Sequence, residues 1–287
     1  MNILRILDKL SNDKFFTGEA SRLETLSSLG AFGKKAAVAA VPLGLGALMS
    51  TPLKAETTES VAASSFAFKS ALTDALQLAL TLEYLEDEFY RLGLESGVIP
   101  TGGRDEKVFM QIAKHEASHV EFLIAGLGAS AVAKPTFDFT VGGAFDPFNT
   151  TGIGATAAYQ QFLVLAQAFE DTGVRAYKGQ AGNLISTPDL LTAALQIHSV
   201  EARHASEVRR LRGLKGWITG NQRGAGMPSA TQAVYDGEEN VTQAGFNTST
   251  VNNGSLGPAI PGLAGSESYD EPLTTQQSVN IANLFIV

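Results

Sequence analysis

The sequence predicts an all-α protein, a four-helix bundle with one long crossover between its second and third helices. Three observations carry that prediction. Four segments of helical length repeat apolar residues at steps of three and four. Short turns join the first segment to the second and the third to the fourth, while a long connection separates the pairs. One pattern, Glu-x-x-His, occurs in the second segment as Glu116-x-x-His119 and in the fourth as Glu201-x-x-His204. Each copy follows an isolated acid, Glu83 thirty-three residues before Glu116 and Glu170 thirty-one before Glu201.

The elements follow in order. Helix one is expected from Ser65 to Leu94, with Leu72, Leu76, Ala79, Glu83, Glu86 and Tyr90 on one stripe. The turn Ser96 to Gly103 leads to helix two, Arg104 to Leu127, whose stripe is Phe109, Ile112, Glu116, His119 and Leu123. Gly128 to Ile153 contains Pro135, several glycines and the alternating run Thr136 to Thr140, which reads as a short strand. A connection of that length can travel the full height of a bundle. Helix three is expected from Gly154 to Gly179, with Tyr159, Leu163, Ala166, Glu170, Gly173 and Tyr177 aligned. Helix four runs from Thr187 to Leu214 and aligns Leu190, Ala194, Ile197, Glu201, His204, Val208 and Leu211. Residues 217–287 begin as a Gly-, Asn-, Ser- and Thr-rich arm and end on an apolar stretch able to dock as a helix or strand. An exposed Leu284 to Val287 would be an association surface.

The polar residues on these stripes are candidate metal ligands. Positions i and i+3 share a helix face, so each Glu-x-x-His can reach one ion or an adjacent pair. An inward carboxylate needs a cation or a hydrogen-bonded proton, because burying it unpaired costs several kcal/mol. Glu83, Glu116, His119, Glu170, Glu201 and His204 are therefore the expected ligands of two iron or manganese ions; a metal-free polar network is the alternative. Tyr90 and Tyr177 each lie seven residues, about two turns, after an upstream Glu and can support a neighbouring carboxylate. Glu86 competes with Glu83 for the first-helix position; the shared Tyr spacing favours Glu83. Asp171 is expected to cap or pair at the bundle surface, and His115 and His198 lie off the stripes.

The stretch Leu82-Glu83-Tyr84-Leu85-Glu86-Asp87-Glu88-Phe89-Tyr90 resembles the first-helix signature of the ferritin-like domain family that includes desiccation-related proteins. Tyr269-Asp270-Glu271-Pro272-Leu273-Thr274 is similar to its closing segment. The likeness spans about residues 60–287 and implies a ferritin-like bundle whose six di-metal ligands match the six residues above. Position 173 is Gly, so the further carboxylate that rubrerythrins place one turn after the third-helix Glu is absent, and no cysteine can hold their rubredoxin-type iron.

Composition narrows the function classes. A net charge of -8 argues against nucleic acid as partner, and the absence of cysteine removes disulfides, zinc-thiolate sites and thiol catalysis. No phosphate-binding Gly-rich loop follows a strand. Residues 1–60 form a separate region, in which Lys34-Lys35 precedes the apolar run Ala36 to Met49. That run resembles a signal peptide and is short for a membrane span, which leads to an expected export to the periplasm or cell envelope, with the bundle at 61–216 and the arm at 217–287. Three classes of function follow: a di-metal oxidoreductase acting on oxygen or peroxide, a metal-binding stress protein without turnover, and a structural envelope protein that assembles with copies of itself through its terminal arms.

Overall fold

The computed structural model describes residues 71–251 and 262–287. Four long helices form the bundle: α1 Ala71–Ser96, α2 Arg104–Leu127, α3 Ala155–Gln180 and α4 Pro188–Leu211. The sequence places α2 at these limits and α3 within a residue of them. Helix four stops three residues early because Gly213 takes φ 72°, in the left-handed region that glycine enters freely, and its N–H returns to Arg210. The expected start of helix one at Ser65, and the whole segment 1–60, lie outside the described residues.

α1 packs along α2 and α3 along α4, and across the bundle α1 meets α3 while α2 meets α4. Neighbours two apart in the chain require the connection 128–154 to cross the bundle, as the long-crossover topology does. α1 and α3 are about 39 Å long at 26 residues, and α2 and α4 about 36 Å at 24. The crossover holds a single bridge where a strand was expected, Phe137 opposite Ile286, flanked by Asp138 N–H to Phe285 O at 2.8 Å and Val287 N–H to Thr136 O at 3.0 Å. The chain end thus closes the crossover.

α3 is the central helix. Every residue from Phe162 to Tyr177 is buried, which a bundle helix with an exposed outer face cannot show. The cover is the C-terminal arm. It comprises a two-residue hairpin, β1 Thr242–Gln243 with β2 Phe246–Asn247, then α5 Gly262–Ser266 and α6 Thr275–Ala282, which starts on a Thr274/Gln277 capping box. Gly179 lets the arm cross closely, since a Cβ there would stand 1.8 Å from Leu273 O. Leu273 is fully buried and its N–H bonds Arg175 O at 3.0 Å.

At one end of the bundle Phe89, Phe109, Phe139, Phe162 and Phe169 form an aromatic core. Phe89 and Phe162 stack at 4.6 Å and 8°. Phe162 comes so close because Gly93 has no side chain; a Cβ there would lie 2.2 Å from its ring. Phe285 joins this core against Phe169 at 4.8 Å, so the apolar C-terminus divides: Phe285 is interior and Val287 is 81% exposed.

Candidate metal centre

All six predicted residues converge inside the bundle. Glu83, Glu116, Glu170 and Glu201 have no solvent exposure, and His204 is buried. His119 Nδ1 lies 3.1 Å from Glu83 Oε2, 3.0 Å from Glu116 Oε2 and 3.3 Å from Glu201 Oε1. His204 Nδ1 lies 2.9 Å from Glu116 Oε1 and 3.3 Å from Glu170 Oε2. Two overlapping sets result, Glu83, Glu116, His119, Glu201 and Glu116, Glu170, Glu201, His204, each with its ligand atoms within 4.8 Å of one another. Glu116 and Glu201 belong to both sets.

The atoms aimed at the shared interior are poorly served by hydrogen bonds. Glu116 Oε1, Glu170 Oε2, both Glu201 oxygens and His204 Nδ1 are buried without an aligned partner. The 2.9 Å between His204 Nδ1 and Glu116 Oε1 is a close approach of imidazole and carboxylate without hydrogen-bond alignment. Oxygen and imidazole donors converging in this way fit iron or manganese, which favour carboxylate and imidazole, and leave out metals that need thiolate.

The electrostatics agree. Burial pushes Glu83 up to about 7 against the pull of His119. Burial and then the neighbouring carboxylates raise Glu86 and Glu201 well above the usual range; burial also raises Glu170 against His204. Glu116 alone goes down, because His119 and His204 together overcome its burial. Both imidazoles are raised well above their ordinary value: Glu83 and Glu116 overcome the burial of His119, and Glu170 and Glu116 that of His204. So many acids in one apolar interior are tolerated only if protons or cations share the space.

The tyrosines support the acids in a crossed manner. Tyr90 of α1 donates to Glu170 of α3, and Tyr177 of α3 donates to Glu83 of α1. Each half thus supports the other half's acid. Burial and then these carboxylates push both phenols well above their ordinary value, so both act as donors.

His115 is the residue that sequence reasoning passed over. Its Nδ1 lies 2.8 Å from His204 Nε2, the rings stack at 5.1 Å, and its Nε2 meets the Gln111 amide at 2.6 Å. It can take the Nε2 proton of His204 and so leave Nδ1 free to face the centre, the role an outer partner has for a metal-binding imidazole. The available signal was chemical: a ligand His needs something at its other nitrogen. An open cleft of about 830 Å³ reaches His204 here, lined by Arg104, Lys107, Gln111, His115, Arg203 and Arg210 among others. His198 instead ties α4 to α3 through Nδ1 to Val174 O at 3.0 Å.

Asp171 differs from expectation. It pairs as predicted, but in the interior at 2% exposure, because the arm covers the face that a bare bundle would leave to solvent. Arg209 binds both its oxygens and Tyr235 of the arm donates to Oδ2 at 2.8 Å. Nearby, Arg175 meets Glu238 at 2.7 Å and donates to the carbonyls of Val234, Asp236 and Glu271. The closing segment noted in the sequence is thus the strap across α3.

A four-helix bundle with two acid and imidazole sets sharing a pair of central glutamates defines a carboxylate bundle whose buried groups could hold metal ions. The ferritin-like domain family model matches residues 71–214, the four helices with their connections, and the chain belongs to that family. A search of curated proteins returned no match.

Proposed function

We propose that this chain holds two iron or manganese ions and uses them in oxidation and reduction with oxygen or peroxide, in stress protection. The observation that carries the reading is the set of buried, unpartnered oxygens on Glu116, Glu170 and Glu201 facing His204 Nδ1. On this reading Glu83 and His119 hold one ion, Glu170 and His204 the other, and Glu116 and Glu201 bridge them. When bound, such a pair supplies or accepts the two electrons that making or breaking an oxygen–oxygen bond requires.

The chain's own groups have definite parts. Tyr90 and Tyr177 draw charge from Glu170 and Glu83 through their O–H bonds. His115 holds the ring of His204. The aromatic layer of Phe89, Phe109 and Phe162 keeps water from one end of the centre. The cleft reaches His204 from solvent, and its basic residues, of which Arg104 is paired with Glu207, outnumber its one acid and favour neutral or anionic reactants over metal cations. That preference suits resident ions acting on an oxidant better than ions passing through as cargo. On the reading of residues 36–49, the setting is the periplasm or cell envelope.

The test is kinetic. Ferrous-loaded protein mixed with oxygen, and manganese-loaded protein mixed with peroxide, are expected to react faster than the same ions free in solution. Rates equal to those of free ions at full occupancy would reject turnover and leave a metal-stabilised structural bundle.

A further inference from the structure

The two halves match at every ligand position but differ one turn after the upstream acid: α1 has Glu86 where α3 has Gly173. Glu86 is 2% exposed. A Cβ built on Gly173 would stand 2.9 Å from Glu201 Oε2 and 3.4 Å from Glu86 Oε1, so both oxygens approach the same bare stretch of α3 backbone. The space a side chain at 173 would fill is the space these two acids use. Glu201 Oε2 is buried with no hydrogen-bond partner. Among the described residues no salt bridge joins a Lys or Arg to Glu86, and the strongest charges acting on it are those of Glu201, Glu170, Glu83 and Glu116. A fifth acid inside a ring of four, without a cationic side chain, is at home only when it keeps its proton or where ions compensate it.

We propose that Glu86 is a seventh ligand of the centre, entering beside Glu201 on the side that Gly173 leaves open. The inference rests on the di-metal reading and extends it. Five carboxylates, the four predicted ones and Glu86, exceed by one charge what two divalent ions neutralise.

Cobalt(II) and manganese(II) titration of Glu86→Gln against wild type tests this without any activity assay. Wild type is expected to take two ions. Glu86→Gln keeps the shape and removes only the capacity to ionise, so the metal-free variant should remain as stable as wild type or become more so. Its affinity for at least one ion should fall about tenfold or more, and the visible bands of the cobalt form should intensify as an oxygen donor is lost. Glu86→Asp, which keeps the charge but shortens the reach, should alter the same bands and serves if Glu86→Gln fails to fold. Unchanged affinity and spectrum in the variants at full occupancy would overturn the proposal while leaving the two-ion centre intact. A wild type that binds neither cobalt, manganese nor iron would instead remove the di-metal reading and the seventh ligand with it.

Discussion

The two halves of the bundle carry the same chemistry in different surroundings. α1 with α2 and α3 with α4 each supply Glu, Tyr seven residues on, and Glu-x-x-His. Yet α1 keeps exposed charge on its outer face, where Arg91 pairs with Glu88 and Glu95 in solvent, whereas α3 is wrapped, with Arg175 and Asp171 both buried beneath the arm. The acid and imidazole sets are nearly symmetric, as the proposed pair of ions would require of its donors. The shells differ because only one half is covered by residues after α4. A repeated motif therefore specifies the donors, and the unrepeated parts of the chain specify their environment.

The largest effect should come from the acids that the halves share. Glu116 reaches both imidazoles, whereas Glu83 reaches only His119. Glu116→Ala is expected to abolish binding of both ions, while Glu83→Ala should leave about one; elemental analysis after desalting distinguishes them. Equal loss in the two variants would break the assignment of Glu116 as a bridge.

Next in size is the wrapped half's own clamp. Arg209→Met leaves Asp171 buried without its cation, and urea unfolding should show a loss of about 3–5 kcal/mol. The matching change in the open half, Arg91→Met, breaks only exposed pairs and should cost under about 1 kcal/mol. Similar losses would mean that the arm does not exclude solvent from α3.

The crossed tyrosines give a finer contrast. Tyr90→Phe, made in α1, should weaken the ion held by Glu170 and His204, and Tyr177→Phe the ion held by Glu83 and His119, each about 10- to 100-fold in affinity. Stepwise metal titration reads which step moves. Weakening on the same half as the substitution would contradict the crossing.

The smallest effect concerns pH. In the metal-free protein Glu83 is raised by burial to about 7, and so is Glu238, whose burial Arg175 only partly offsets. A carboxyl raised on folding binds its proton more tightly in the folded state, so its stabilising contribution is complete below about pH 4.5 and is lost as pH rises through 7. His115, lowered to about 4 by burial and then by His204, and His198, also lowered by burial, work in the opposite direction over much of this range but are two groups against several. Metal-free protein should therefore melt a few degrees lower at pH 8 than at pH 5, and bound ions should reverse the trend, because they replace the protons.

Much of this was legible in the chain. The helix limits, the six converging residues and the crossover follow from periodicity and spacing, since a helix converts sequence intervals directly into faces. The expectation at Asp171 failed on its depth. Its place on α3 was readable, but a helix face says nothing about an arm that returns from sixty residues away. His115 was missed for a related reason, as its partner His204 lies on another helix and only packing sets the rings side by side.

By itself the sequence determined which donors exist and that they face inward, because those properties are local: a period of 3.6 residues and the cost of burying charge. The tertiary structure alone decided that Tyr90 serves Glu170, that Glu86 shares the space beside Gly173 with Glu201, and that α3 lies in the interior. Those are contacts between distant segments, and their geometry depends on how helices and arm pack, which no interval along a single helix encodes.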